Sequence, residues 1–284
     1  MPKKQNLGAD SEWERLRKEF HLLLSKVSSS YDTITIFNDA CRMFAISLRS
    51  PLVLSKDEKE AIEQEYKALA DKYGVEGTEK ISGLFALVMQ ALEIKRGDFL
   101  GHIYEDLNAT KKGFGQFFTP DSVAKLMARI AFPPDSIEQG RIVKICDPTC
   151  GAGALLIEAA ESFIESGGRQ GDLLLYADDL DGTACNIAYT QFSLLGYPAI
   201  VRRMDSLAME VFEGPLYTFG YFGHAMPMRL HKTQGSPEKK EDFFPETETI
   251  SEEPKEGAVE EPPINVRELA QGEFNFGFNF GGEN

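Results

Sequence analysis

Between residues 141 and 203, short apolar runs alternate with helical stretches, and this alternation constrains the fold more than any other feature of the chain. RIVKIC (141–146), LLLYA (173–177) and AIVRR (199–203) have the length and composition of strands, and ALLIEAAESFIES (154–166) and GTACNIAYTQFSLLG (182–196) have the period of helices. Strands separated by helices predict a parallel, doubly wound α/β sheet, since a parallel neighbour needs a connection long enough to hold a helix. YTFGYF (217–222) is a further β-like run.

The flanking segments follow other rules. SEWERLRKEFHLLLSKV places Trp13, Leu16, Phe20, Leu23 and Leu24 on one helical face. DEKEAIEQEYKALADKYG reads as an amphipathic helix closed by Gly74, and SGLFALVMQALEI as a more buried one. Residues 1–100 therefore form an expected helical domain, 101–235 a sheet-containing domain, and 236–284 an acidic, Pro-containing segment expected to be disordered. Within that last segment FNFGFNFGG is a local Phe-Asn-Gly iteration, read either as a flexible end or as an aromatic docking peptide for a partner.

The sharpest local motif is DPTCGAG at 147–153, directly after the first strand. In an open α/β sheet, ligands sit at the carboxyl ends of strands, where glycines let them approach the backbone at a helix N-terminus. A glycine pair alone is weak evidence, because a tight strand-to-helix turn needs glycine for its own backbone angles. The second strand strengthens the case by ending in YADDLD, and an acid there is the usual partner of ribose hydroxyls. Asp179 is the first candidate and Asp181 the second, with Asp178 read as solvated. The third strand delivers Asp205, placed to accept a hydrogen bond from an exocyclic adenine amine.

Net charge is −15, but residues 237–284 hold 13 of the 45 acids and only 4 of the 30 bases. The preceding body is thus mildly acidic, a weak starting point for gripping phosphates unaided. Cys41, Cys146, Cys150 and Cys185 form no CxxC pair, so neither a disulfide framework nor a zinc site is expected. No apolar run reaches bilayer length, and the first residues lack a secretory apolar stretch, so the expected location is cytoplasmic, away from membranes.

GQFFTP (115–120), DPTCGAG (147–153), YADDLD (176–181) and MDSL (204–207) together resemble, in order and spacing, the N6-adenine-specific DNA methyltransferases, and especially the modification subunits of type I restriction-modification systems. The resemblance spans roughly residues 75–210 and includes DFLGHIYEDLN and part of the helical region before it. It implies an incomplete Rossmann-like methyltransferase sheet, S-adenosyl-L-methionine as cofactor, and DNA contact through a partner specificity subunit. Carried over by position, Phe118, Thr119 and Pro120 would close over the methionine end of the cofactor. Asp147, Cys150, Gly151 and Gly153 would line its amino-acid and ribose portion, Asp179 would bind the ribose hydroxyls, and Asp205 the adenine amine. The family often has Glu where this chain has Asp179, which has a shorter reach.

The acceptor side departs from that pattern. Methylation of an exocyclic adenine nitrogen requires acceptors that hold the amine and an aromatic ring that stacks on the flipped base. The family supplies Asn or Asp, two prolines and an aromatic residue after strand four; this chain has FGYFGHAMPMRL. His224 stands near the acceptor position as a weak catalytic candidate, Met226-Pro227 where paired prolines belong, and Met228 where the aromatic belongs. An imidazole accepts one hydrogen bond and cannot reproduce paired acceptors. The later strands also lack a counterpart, leaving an open sheet edge for a partner, a second copy or the acidic segment to cover. Three readings follow: an N6-adenine DNA methyltransferase, a non-catalytic methyltransferase-derived interaction protein acting in restriction interference or subunit mimicry, and a methyltransferase of a non-DNA substrate.

Overall fold

The computed structural model describes residues 7–108, 121–133, 137 and 140–225. Phe118, Thr119 and Pro120, the residues from Met226 onward, and with them the expected disordered segment lie outside the described residues.

Four helices come first: α1 (Leu7–Leu24), α2 (Thr33–Arg49), α3 (Lys56–Ile94) and α4 (Phe99–Asn108). Asp32 caps α2 by accepting from the Thr35 N–H, and Ser55 caps α3 from the Glu58 N–H, each satisfying a donor that the helix leaves unpaired. Gly74, at φ +66°, breaks α3 into two helical stretches, at the position where the sequence predicts a helix end. Trp13, Leu16, Phe20 and Leu24 form the buried face of α1, while Leu23 is only partly buried.

The second half contains α5 (Asp121–Ala131), β1 (Val143–Asp147), α6 (Ala154–Glu165), β2 (Leu173–Asp179), α7 (Gly182–Leu195), β3 (Ala199–Asp205) and β4 (Glu210–Tyr217). The strands form one sheet in the order β1-β2-β3-β4. The first two pairings are parallel, as the interposed helices require, and register Asp147 with Ala177 and Asp179 with Arg203. Among the described residues this is a Rossmann-like sheet of four strands with helices packed on it.

Two features differ from the fully parallel sheet expected from the sequence. The fourth strand pairs antiparallel with β3, with Ile200 opposite Tyr217 and Asp205 opposite Glu210. Only the first residue of YTFGYF belongs to it; Tyr221–Ala225 form a single π-helical turn instead. The link between β3 and β4 holds no helix, and a connection that short can only reverse the chain.

The helical half and the sheet share one continuous apolar cluster, running from Trp13, Phe37 and Phe99 to Ile157, Leu175, Phe192 and Val201. Gln191, fully buried on α7, is a polar strut within it: its carbonyl accepts from the Leu100 N–H at 3.0 Å, and its amide donates to Asp98 Oδ1 at 2.7 Å and Ala152 O at 3.1 Å. No described helix is long and apolar enough to cross a membrane.

Candidate cofactor site at the carboxyl ends of the parallel strands

Residues 148–153 turn the chain from β1 into α6. Two glycines make the turn with left-handed backbone angles, Gly151 at φ +54° and Gly153 at φ +94°, a region where other residues are strained. Their surroundings differ. A Cβ on Gly153 would lie 2.6 Å from the Phe192 ring of α7, whereas a Cβ on Gly151 would meet nothing within 4 Å. Gly153 is thus required by helix packing, and Gly151 is the point where the backbone lies open.

The second strand holds this turn in place. The Cys150 N–H donates to Asp178 O at 2.8 Å, and the Gly151 N–H to Asp179 Oδ2 at 2.8 Å. Asp179 Oδ1 accepts from the Asp181 N–H at 2.8 Å, so each carboxylate oxygen has one backbone donor and further lone-pair capacity for a ligand hydroxyl. From the third strand, Ser206 donates to Pro148 O at 2.6 Å, tying β3 to the same turn. Asp205 accepts the Leu207 and Ala208 N–H groups on Oδ1, both at 2.9 Å, which orients its other oxygen for an external donor.

Asp147 closes the first strand and is 9% exposed. Burial raises its pKa above the ordinary aspartate range; the Thr149 N–H opposes this at 3.0 Å, while the charges of Asp179 and Asp178 add to it. Such a carboxyl gains from a cation brought beside it. Cys150 is buried and directs its S–H to Gly151 O, and burial pushes its thiol well above the usual range. Its side chain is therefore packed beneath the turn.

The structure corrects the reading of Asp178 as a solvated acid. It is 3% exposed and bound in a fork by Arg202, with both N–O distances 2.7 Å. Asp181 caps α7 by accepting the Thr183 N–H at 2.8 Å and also accepts a hydrogen bond from the Tyr104 hydroxyl at 2.6 Å, reaching from α4. Tyr104, Arg202, Ser206 and Gln191 thus support the site without having been singled out from the sequence, because the pairings cross between elements. Only the Asp178–Arg202 partnership leaves a sequence trace, as opposite charges near the ends of adjacent strands.

His224 is not brought to this site. The reversal of β4 carries the chain back to the amino ends of the parallel strands, where the Thr218 N–H donates to Ala199 O and Tyr221 packs with Leu174 and Ile200. The π-helical turn sits beside Gln170–Asp172, just ahead of β2. Among the described residues, no cluster of three or more His, Cys, Asp or Glu could hold a metal ion.

Residues 95–220 match the N-6 DNA methylase family. The match extends from just before α4 through β4 and contains the whole turn and the three strand-end acids. Among solved structures, the methyltransferase subunit of a type I restriction-modification system from Streptococcus thermophilus is 19% identical with a TM-score of 0.39, the match covering 70% of this chain and 59% of that one. A protein described as a class I S-adenosylmethionine-dependent methyltransferase from Listeria monocytogenes is 15% identical with a TM-score of 0.40, covering 71% and 57%. A modification subunit assigned to a type I restriction enzyme of Vibrio vulnificus is 16% identical with a TM-score of 0.31, covering 51% and 28%. The chain thus matches less than two thirds of the length of each.

Proposed function

We propose that this methyltransferase-like chain binds S-adenosyl-L-methionine in the manner of an N6-adenine DNA methyltransferase, and that it does not complete the adenine-accepting half of the site by itself. The observation carrying the first part is the Gly151 backbone, open to approach and bonded to Asp179, with Asp147 and Asp205 at the carboxyl ends of the flanking strands. These residues fit the cofactor chemically. Asp179 has acceptor capacity for two ribose hydroxyls, Asp205 has an oriented oxygen for the adenine amine, and Asp147 offers a buried carboxylate to the ammonium of the methionine end. The bound cofactor would supply an electrophilic methyl on its sulfonium. The protein's own contribution at this end is to bind and orient.

The second part is supported by chain direction. The stretch after β4 leaves the sheet at its amino end, and His224 goes with it. The acceptor amine therefore needs groups from another chain, and a specificity subunit with bound DNA is the partner class suggested by the modification-subunit resemblance. The same feature keeps open the reading of a non-catalytic interaction protein derived from such a subunit.

Calorimetric titration with S-adenosyl-L-methionine tests the site. Saturable binding is expected for the full chain, with its loss in both Asp147→Ala and Asp179→Ala; unchanged affinity in both variants would sink the assignment. For the second part, radiolabelled methyl transfer to adenine-containing duplex DNA is expected to be absent with the chain alone. Transfer that His224→Ala abolishes without altering cofactor affinity would overturn it.

A further inference from the structure

A buried amide stands between the helical half and the turn from β1 into α6. The Gln191 carbonyl accepts from the Leu100 N–H, and its amide group donates to Asp98 Oδ1 and to Ala152 O. Turning the amide over would set its NH2 against the Leu100 N–H and its carbonyl against two acceptors, so only the observed orientation satisfies every group. Asp98 Oδ1 also takes the Gly101 N–H at 2.8 Å, and a Cβ on Gly101 would collide with this carboxylate. Glutamate at position 191 would bring no donor, and methionine or leucine neither donor nor acceptor.

Each end of this bridge is held by contacts of its own. On the helical side, residues 96–104 run along α7 in the opposite direction: Arg96 donates to Leu195 O at 3.0 Å, the Leu100 N–H to Gln191, and the Tyr104 hydroxyl to Asp181. On the other side, the Phe192 ring and the Ala188 methyl lie where a Gly153 side chain would go, so α7 seats the peptide between Ala152 and Gly153. The N–H of that peptide donates to Cys150 O at 2.9 Å, closing the turn around Gly151, and its carbonyl is the group that Gln191 holds. A buried polar network with every member satisfied specifies one geometry, and here that geometry includes the open backbone of Gly151.

We infer that Gln191 is a positioning residue: it sets the Ala152 carbonyl, and with it the Gly151 backbone, by reference to the start of α4. The helical half and the turn are thereby coupled, and the coupling is reciprocal. S-adenosyl-L-methionine seated on the turn steadies the start of α4, and whatever displaces α4 loosens the turn and lowers the affinity. The statement about affinity rests on the cofactor reading above; the statement about geometry does not.

Exchanging the two groups across the bridge separates positioning from plain packing. In Gln191→Glu two carboxylates face each other and Ala152 O loses its donor. In Asp98→Asn/Gln191→Glu the asparagine amide donates to the glutamate, the Leu100 N–H keeps its acceptor, and Ala152 O alone stays without a partner. The double variant of the full chain should recover most of the urea midpoint lost in the single one. Its Cys150 and Gly151 amides should nevertheless exchange about tenfold faster than in the ligand-free wild type, the scale of one lost bond to a buried acceptor. Its calorimetric affinity for S-adenosyl-L-methionine, measured where it is fully folded, should stay about tenfold weaker. In the wild type, saturating S-adenosyl-L-methionine should slow exchange at Leu100 and Gly101 by about fivefold. Wild-type exchange at Cys150 and Gly151 in the double variant would overturn the inference, and so would a ligand that binds the wild type and leaves Leu100 and Gly101 unchanged. A wild type that binds no ligand overturns the cofactor reading instead, and the ligand-free exchange rates still decide the role of Gln191.

Discussion

At the scale of single residues, Gly151 and Gly153 separate two reasons for having glycine. Gly153→Ala combines a left-handed backbone with a Cβ driven into Phe192, and should cost about 2–4 kcal/mol, read as a lower midpoint in urea. Gly151→Ala has only the backbone penalty, roughly 1–2 kcal/mol, yet should weaken S-adenosyl-L-methionine binding far more than that loss explains, because the new methyl occupies the open approach. Asp147 gives a prediction of opposite sign for stability and binding. Its folded-state pKa lies above the unfolded value, so its contribution to stability is fully present below the ordinary aspartate pKa and is lost as pH rises through the raised one. Asp147→Asn keeps an acceptor for the Thr149 N–H and should melt higher than wild type at neutral pH, with a flatter acid-side profile, while losing cofactor affinity. The motif made the glycines and the three strand-end acids legible in advance. It singled out Asp179 over Asp178 but took Asp178 for a solvated acid, because only the fold shows that its face of the strand is filled and that Arg202 holds it.

At the scale of elements, the segments with strong period were readable and the weak ones were not. The first three strands and the helices between them fall where the sequence places them. The fourth was misplaced by several residues because Glu210–Tyr217 is largely exposed, contains Glu213 and Pro215, and shows no alternation; a strand at the sheet edge tolerates all of this. Asp181 shows how a residue with the credentials of a ligand-binding acid can serve an element instead. It caps α7 and receives the Tyr104 hydroxyl, whose pKa rises through burial and that bond. Asp181→Ala should therefore lower stability by about 1–3 kcal/mol in denaturant titration, with cofactor affinity, extrapolated to fully folded protein, within a few-fold of wild type. Loss of binding on the scale of Asp179→Ala would instead make Asp181 a ligand-contacting residue.

At the scale of the whole molecule, the helical half and the sheet are bound into one apolar cluster, and Gln191 joins the start of α4 to the turn between β1 and α6 through Ala152. The sequence reading sets a boundary near residue 100, but helical or strand period says nothing about whether two segments bury their faces on one another. The single tryptophan, Trp13, is packed against Phe99 and donates to Ala91 O, so its fluorescence reports on the helical half. Loss of that signal and hydrogen exchange in β2 should follow the same transition in urea; two separated midpoints would mean the halves fold independently. The direction of β4 has a consequence for anyone wishing to engineer this protein. An acceptor residue written in at Tyr221 or Phe222 would stand at the opposite end of the sheet from the strand-end acids, about 20 Å away by the length of β3. Restoring an acceptor site calls for a longer excursion between β3 and β4, or for a second polypeptide that reaches the correct end from outside.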